Sequence, residues 1–295
     1  MAWVKLKVTF KGQALEFEMS QTGSLAVVTA IIPCYRCTAT LERAVASVAA
    51  QSLVPAELIL VDDCSGDDTR LLMQAIAAKY TAGWIRTVLL DKNMGAGSAR
   101  NAGWAIATQP YIAFLDSDDA WHPEKVRIQL NLMLNQPELA LCGHTHQILL
   151  KDDLPDWKLQ TDGGKSIARP ISKWQLLIAN RFVTPSVMLR RDISCRFLEG
   201  QRFMEDRMLW LNIVCSNQRV ARIPVALAAT YKSGFGHSGL SAQWLNMARG
   251  DFGNYRRLLN SKYISHIEFA ALNLFSAIKF LRRLVIHRFF SDKSR

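Results

Sequence analysis

Several familiar signals are missing from this sequence. No basic segment leads into a long apolar core and a cleavage site, so a secretion signal is not expected. The apolar stretch at 269–290 is interrupted by Lys279, Arg282 and Arg283, too early for the roughly 20 predominantly apolar residues of a spanning helix. Six cysteines, at 34, 37, 64, 142, 195 and 215, have little regularity beyond one Cys-x-x-Cys, so a dense disulfide framework is excluded and reduced, cytosolic thiols are expected. Internal repeats and low-complexity segments are absent. The chain is basic, with net charge +11, but it has no aromatic-interleaved basic patch and no base-stacking platform. Nucleic acid is therefore not an expected partner.

What is present is a chain of 295 residues, 49% apolar, enough for one large core. Strand and helix patterns alternate. The apolar run at 27–32 ends at Pro33 and is followed by Leu41, Val45, Val48 and Ala49 at helical spacing. The run 58–61 passes through Asp62-Asp63-Cys64-Ser65-Gly66-Asp67-Asp68-Thr69 into Leu71, Leu72, Ala75 and Ile76. The run 87–90 precedes Asn93-Met94-Gly95-Ala96-Gly97-Ser98-Ala99-Arg100-Asn101-Ala102-Gly103, and 111–115 ends in Asp116-Ser117-Asp118-Asp119. Such alternation predicts an α/β fold with a parallel sheet, crossover helices, and polar turns lining one crevice at the carboxyl ends of the strands.

Three carboxylates closing a buried strand admit two readings. Asp116 and Asp118 present oxygen ligands suited to Mg²⁺ or Mn²⁺, or the turn is a solvated cap for the next helix. Gly95 and Gly97 let the backbone approach a ligand, with Arg100 as a cation to face phosphate; the alternative is a loop that merely enters a helix. Gly-x-Gly here lacks the spacing of a dinucleotide fingerprint, because Arg100 stands three residues after Gly97.

In order and spacing over about residues 27–125, these pieces resemble the family 2 inverting, nucleotide-sugar-dependent glycosyltransferases of bacterial envelope polysaccharide type. The pieces are Ile31-Ile32-Pro33-Cys34-Tyr35, Gln51, Val61 to Thr69, Asn93-x-Gly95, Ala99-Arg100-Asn101-x-Gly103, and Phe114 to Asp119 with Pro123. The resemblance implies the GT-A fold, with a mostly parallel central sheet flanked by helices. It implies that Pro33 and Tyr35 flank the nucleotide base and that Asp63 accepts a hydrogen bond from uracil. Gly95, Arg100 and Asp116 belong to the nucleotide-sugar site. Asp116 and Asp118 match the DxD motif, Asp118 being the direct ligand of a Mn²⁺ or Mg²⁺ that bridges the diphosphate. One departure is visible: the family usually carries Asn after the tyrosine, where this chain has Arg36.

Inverting transfer needs a general base for the acceptor hydroxyl. Glu205-Asp206 opens a helical pattern, and by resemblance Asp206 is that base; otherwise the pair complements a helix macrodipole. The segment 182–191 resembles the strand before it. The glycine-rich 231–241 suits a mobile loop, closing over the donor with His237 or Lys232 near the diphosphate, or a surface loop with a solvated histidine. His144 and His146 share a strand face, but no nearby ligands complete a zinc set, and structural placement is expected. Cys34 and Cys37 sit in the nucleotide turn rather than forming a redox pair.

The expected division is an N-terminal extension at 1–24 that forms a hairpin or is disordered, and a GT-A domain at 25–245. The latter divides into a nucleotide half, 25–125, and an acceptor half, 126–245. A basic amphipathic tail follows at 246–295. Residues 255–295 hold nine Lys or Arg against two acids. That composition suits a helix lying on an anionic leaflet, the alternative being packing on the catalytic domain or in a homodimer. The Gln-x-x-Arg-Trp motif of processive members is absent. The expected activity is therefore single-sugar transfer from a UDP-sugar to a lipid-linked or envelope glycan, by a peripheral protein at the cytoplasmic face of the membrane. The rival expectations are a sugar nucleotidyltransferase, which would want glycine in 33–37, and a catalytically silent nucleotide-binding scaffold.

Overall fold

A computed structural model describes residues 3–10, 13–20, 25–150, 153–157, 168–231 and 243–290. Two N-terminal strands, β1 (Trp3–Phe10) and β2 (Gln13–Ser20), pair antiparallel, so the weak alternation at the start of the chain does form a hairpin.

The main sheet is built from β3 (Ala26–Cys34), β4 (Pro55–Asp62), β5 (Ile85–Leu89), β6 (Tyr111–Phe114), β7 (Ala120–Trp121), β8 (Leu139–Leu149), β9 (Arg169–Pro170), β10 (Met188–Arg190) and β11 (Arg219–Tyr231). Interleaved are α1 (Leu41–Ala49), α2 (Thr69–Ala77), α3 (Ala96–Ile106), α4 (Lys125–Asn135), α5 (Lys173–Ile178), α6 (Glu205–Cys215), α7 (Trp244–Asn260) and α8 (His266–Phe290). Strand order is β5-β4-β3-β6-β10-β8-β11-β7, with β9 on β11. β3, β4, β5 and β6 run parallel, and β8 runs parallel to β11. β10 runs antiparallel between β6 and β8, which makes the sheet mixed at its centre. The segment read as one strand at 182–191 is a short 3-10 turn, Thr184–Ser186, followed by β10.

The central strands are apolar on both faces because helices cover both. Their period of two divides the side chains. Ile31, Ile59 and Val61 join Trp104, Phe197, Trp210 and Tyr255 in one core, while Ala30, Ile32, Leu58 and Leu60 pack with Leu41, Val45 and Met73 in the other. α3 lies against the first face without a side chain between: a Cβ on Gly103 would come within 2.7 Å of Ile31 Cγ2. Because β4 lies on one side of β3 and β6 on the other, the chain reverses direction across the sheet there, the place where open α/β sheets leave a crevice.

α7 and α8 follow the sheet domain, and α7 is tied to α6 and α5 from inside. Arg207, 2% exposed, pairs with Asp251 of α7 and donates to Leu177 O at 2.6 Å and Tyr255 Oη at 2.9 Å. No helix among the described residues is long and apolar enough to cross a membrane.

Candidate active site

The turns at the carboxyl ends of β3, β4, β5 and β6 meet, as the alternation predicts. Pro33 is buried in register with Val61, and Tyr35 is 45% exposed at the mouth of the turn. Arg36 has φ +49, the left-handed region in which asparagine is enriched, which explains the usual asparagine and the cost of replacing it. Here Ser65 holds the arginine instead: Arg36 N donates to its Oγ at 3.1 Å and Arg36 Nε to its carbonyl at 3.2 Å. Beside them a cavity of about 440 Å³ is lined by Asp62, Cys64, Ser65, Asp67, Arg70 and Asp91, among others.

Asp63 is 3% exposed, and its two carboxylate oxygens accept from Met94 N and Gly95 N, each at 2.8 Å. Asn93 Nδ2 returns a bond to Asp63 O at 3.1 Å. This carboxylate therefore ties the turn after β4 to the entrance of α3, a role not read from the sequence, and one acceptor direction on each oxygen is used by it. Gly95 has φ +88, and this conformation lets the chain present both amides to one carboxylate before α3 begins.

Arg100 is 3% exposed, and its guanidinium meets carboxylates within the protein. Its Nη2 donates to Asp116 Oδ1 at 2.6 Å, and its Nη1 reaches Glu205 Oε1 at 3.4 Å. The cause is steric and electrostatic: on the first turns of α3, Arg100 points inward between two partly buried carboxylates, and a guanidinium there neutralises both. Close packing supports the same approach, since a Cβ on Gly97 would stand 3.2 Å from Glu205 Cγ.

Across the cleft, Met204 at φ +57 turns the chain into α6. Asp206 Oδ1 accepts from Arg207 N at 2.6 Å and Oδ2 from Asn180 Nδ2 at 3.1 Å, so its carboxylate plane is held from two sides. Burial raises the Asp206 carboxyl above its usual range, against the Arg207 N–H and the Arg100 charge. Burial likewise pushes Glu205 up to about 7, with the Asp206 charge adding to it and Arg100 opposing it. Arg100 thus joins Asp116, Glu205 and, through its field, Asp206 into one electrostatic unit.

The three acids after β6 separate in use. Asp116 is partly exposed, Asp118 is exposed, and Asp119, at 1% exposure, accepts from Tyr231 N at 3.1 Å and so anchors the end of β11. Arg43 reinforces this corner, donating to Asp118 O while its guanidinium stacks 3.7 Å from the Tyr231 ring centroid. The donor chemistry of Asp116, partly exposed, and Asp118, exposed and two residues on, suits a hard divalent cation, since both offer oxygen only. No group of three His, Cys, Asp or Glu that could hold a metal exists among the described residues, and Mg²⁺ typically takes only one or two protein carboxylates plus substrate phosphates.

Asn180, the anchoring role of Asp119 and the Arg207–Asp251–Tyr255 network were not read from the sequence. Their partners lie 26, 112 and 44 to 48 residues away, and no local pattern marks such pairs. Gln51, which carried only motif weight, is 4% exposed and bridges His122 O and Val126 N, fixing the segment after the acidic turn. His144 is 1% exposed with Nδ1 2.6 Å from Thr145 O, and burial pushes its pKa well below the usual imidazole range, as a structural histidine requires. Cys34 and Cys37 are free thiols at the end of β3. Lys232 and His237 lie outside the described residues.

A family model described as glycosyl transferase family 2 matches residues 29–197. The succinoglycan biosynthesis protein ExoO of Rhizobium meliloti is 42% identical over 100 residues, covering 34% of this chain and 28% of that protein. The putative teichuronic acid biosynthesis glycosyltransferase TuaG of Bacillus subtilis is 40% identical over 129 residues, 44% of this chain and 50% of that one. The chain thus spans half or less of these two relatives. The Escherichia coli UDP-Glc:alpha-D-GlcNAc-diphosphoundecaprenol beta-1,3-glucosyltransferase WfgD is 28% identical over 192 residues, 65% of this chain and 71% of that one. Among solved structures, S. aureus TarS 1–349 in complex with UDP-GlcNAc superposes with a TM-score of 0.62 at 19% identity, covering 90% of this chain and 74% of that one.

Proposed function

The chain belongs to glycosyl transferase family 2 and has the GT-A fold, and from that premise we propose that it transfers one sugar from a UDP-sugar, with inversion, to a hydroxyl of a lipid-linked envelope glycan at the cytoplasmic face of a membrane. The observation that supports this reading is the buried Arg100, whose guanidinium reaches both the DxD carboxylate Asp116 and Glu205, the neighbour of Asp206. Donor and acceptor chemistry require that juxtaposition. The printed names of WfgD and TarS, one a UDP-Glc transferase to a diphosphoundecaprenol acceptor and the other solved with UDP-GlcNAc, favour a uridine donor and a lipid-linked acceptor.

In this reading Pro33 and Tyr35 border the base, and Asp63 uses its remaining acceptor directions for uracil while holding the Gly95 loop against the donor. Residues 25–125 serve the donor, 126–245 the acceptor, and 246–295 the surroundings of the site. Asp116 and Asp118 would hold Mn²⁺ or Mg²⁺. When bound, the cation supplies Lewis-acid stabilisation of charge on the departing diphosphate. Arg100 keeps Asp116 aimed through its 2.6 Å hydrogen bond, a positioning role beside the nucleotide-sugar site. Asp206 takes the proton from the acceptor hydroxyl. Its raised pKa makes it a stronger base than a solvated aspartate, and Asn180 and Arg207 N fix the direction in which it accepts. Lys232 and His237 remain the proposed lid groups near the diphosphate.

Release of UDP from UDP-sugars, with lipid-linked GlcNAc diphosphate as first acceptor, tests the proposal. Turnover is expected only with Mn²⁺ or Mg²⁺. Asp206→Asn should lower kcat by about 10²- to 10⁴-fold while UDP binding persists. Release of inorganic diphosphate instead of UDP would identify a nucleotidyltransferase, and nucleotide binding without turnover across a panel of donors and acceptors would identify a scaffold.

A further inference from the structure

α8 presents the wrong chemistry to water. From Ile267 to Leu281, every exposed residue is apolar: Ile267, Ala270, Ala271, Leu274, Phe275, Ala277, Ile278 and Leu281. Ile267 is 82% exposed, Leu274 64%, Ile278 55% and Leu281 58%. Their spacing of 7, 4 and 3 keeps these four on one stripe, roughly 21 Å long at the helical rise. The opposite side is already used, Leu272 being 5% exposed and Phe269 packing at 5.6 Å on Phe252 of α7. A contiguous apolar surface of this kind marks a contact with something other than solvent.

The surface continues onto α5. Lys279 Nζ donates to Ile178 O at 3.0 Å, and Lys173 Nζ lies against Tyr263 O just before α8. These two bonds lay α5 beside α8, where Trp174 is 48% and Ile178 43% exposed. Two residues beyond Ile178 stands Asn180, the side chain that orients Asp206. The apolar surface therefore runs to the edge of the acceptor side of the cleft.

We propose that the outer face of α8, with Trp174 and Ile178 of α5, docks on an anionic lipid leaflet and turns the Asp206 edge of the cleft toward the headgroups. Charge selects this occupant. Residues 255–295 carry nine Lys or Arg against two acids, and Arg282, exposed, adjoins the end of the stripe. An anionic leaflet complements that surplus, with aliphatic stems lying along the apolar face and cationic heads reaching phosphate. A second copy of the same face would set the surplus against itself. The orientation toward an acceptor rests on the glycosyl-transfer reading above; the docking itself does not.

The test is co-sedimentation of the full chain with vesicles of phosphatidylcholine plus phosphatidylglycerol, and with phosphatidylcholine alone. Binding is expected to the mixed vesicles and to weaken with salt. The double substitution Leu274→Asp and Ile278→Asp, both at exposed positions, should weaken it on the order of a hundredfold. UDP release measured without vesicles should stay unchanged in that variant, which shows that it is folded. Brominated lipid should quench tryptophan fluorescence in the native chain and quench less in Trp174→Phe, because α5 lies at headgroup depth. Equal sedimentation of native chain and double variant, or a dimer that the double variant dissociates, would overturn the docking proposal. Quenching unaltered by Trp174→Phe would overturn the orientation. Vesicle binding with no UDP release under any condition would sink the glycosyl-transfer reading and leave the docking intact.

Discussion

The donor-side crevice and the outer face of α8 spend their side chains in opposite ways. In the crevice, polar groups answer one another: Asp63 is bound by two backbone amides, Asp116 and Glu205 share Arg100, and Ser65 holds Arg36. On the outer face of α8, Ile267, Leu274, Ile278 and Leu281 stand exposed among the described residues. A buried polar group left alone costs more than an exposed leucine, so folding itself demands completion of the first region and tolerates the second. A crevice of this kind is rigid before its ligand arrives. A face of the other kind gains its stabilisation only on contact.

The comparison is broken most severely at Arg100. Arg100→Ala leaves the Asp116 and Glu205 carboxylates facing each other in a poorly solvated space, and a loss of about 3–5 kcal/mol is expected, read as a lowered urea midpoint. Rescue should be incomplete with Arg100→Lys, whose single ammonium cannot span both partners as the fork does.

Glu205 gives the next largest effect, and its sign is set by burial. Its carboxyl rises from the 4.5 of an unperturbed glutamate to about 7, so between those values the folded chain keeps a proton that the unfolded chain has released. Stability contributed by this group is then lost as pH rises through that window. In the metal-free protein, Glu205→Gln should gain on the native chain by about 3 kcal/mol near pH 8 and show little difference near pH 4, read from denaturation midpoints across pH.

Paired truncations sharpen the contrast between regions. Leu58→Ala, at 0% exposure between the helices and the sheet, should cost about 2–5 kcal/mol. Leu274→Ala, at 64% exposure on α8, should stay within about 0.5 kcal/mol in the absence of lipid. A large loss from the second would mean that α8 packs against protein after all.

Strand-helix alternation was legible because it is a local signal. The runs at 27–32, 58–61 and 87–90, and the helices after them, fall within a few residues of β3, β4, β5, α1 and α2. The positions of the acidic turns at the strand ends followed from the same pattern. The partners were not legible. Asp63 and Arg100 stood out as charged residues near glycine, yet what each touches depends on α3 crossing against β3 and β4 with no side chain at Gly103 between them. The central antiparallel β10 was equally hidden, since three residues carry no direction of their own.

Sequence by itself determined the α/β class, the order of the elements, the family, and the surplus of cations at the C-terminus, all of which are properties of neighbours along the chain or of composition. Tertiary structure alone decided that Arg100 turns inward to two carboxylates, that Asn180 and Arg207 aim Asp206, and that the apolar residues of α8 face outward rather than into a core. Those outcomes depend on which groups lose water together when distant segments pack, and burial of that kind is not encoded at any single position.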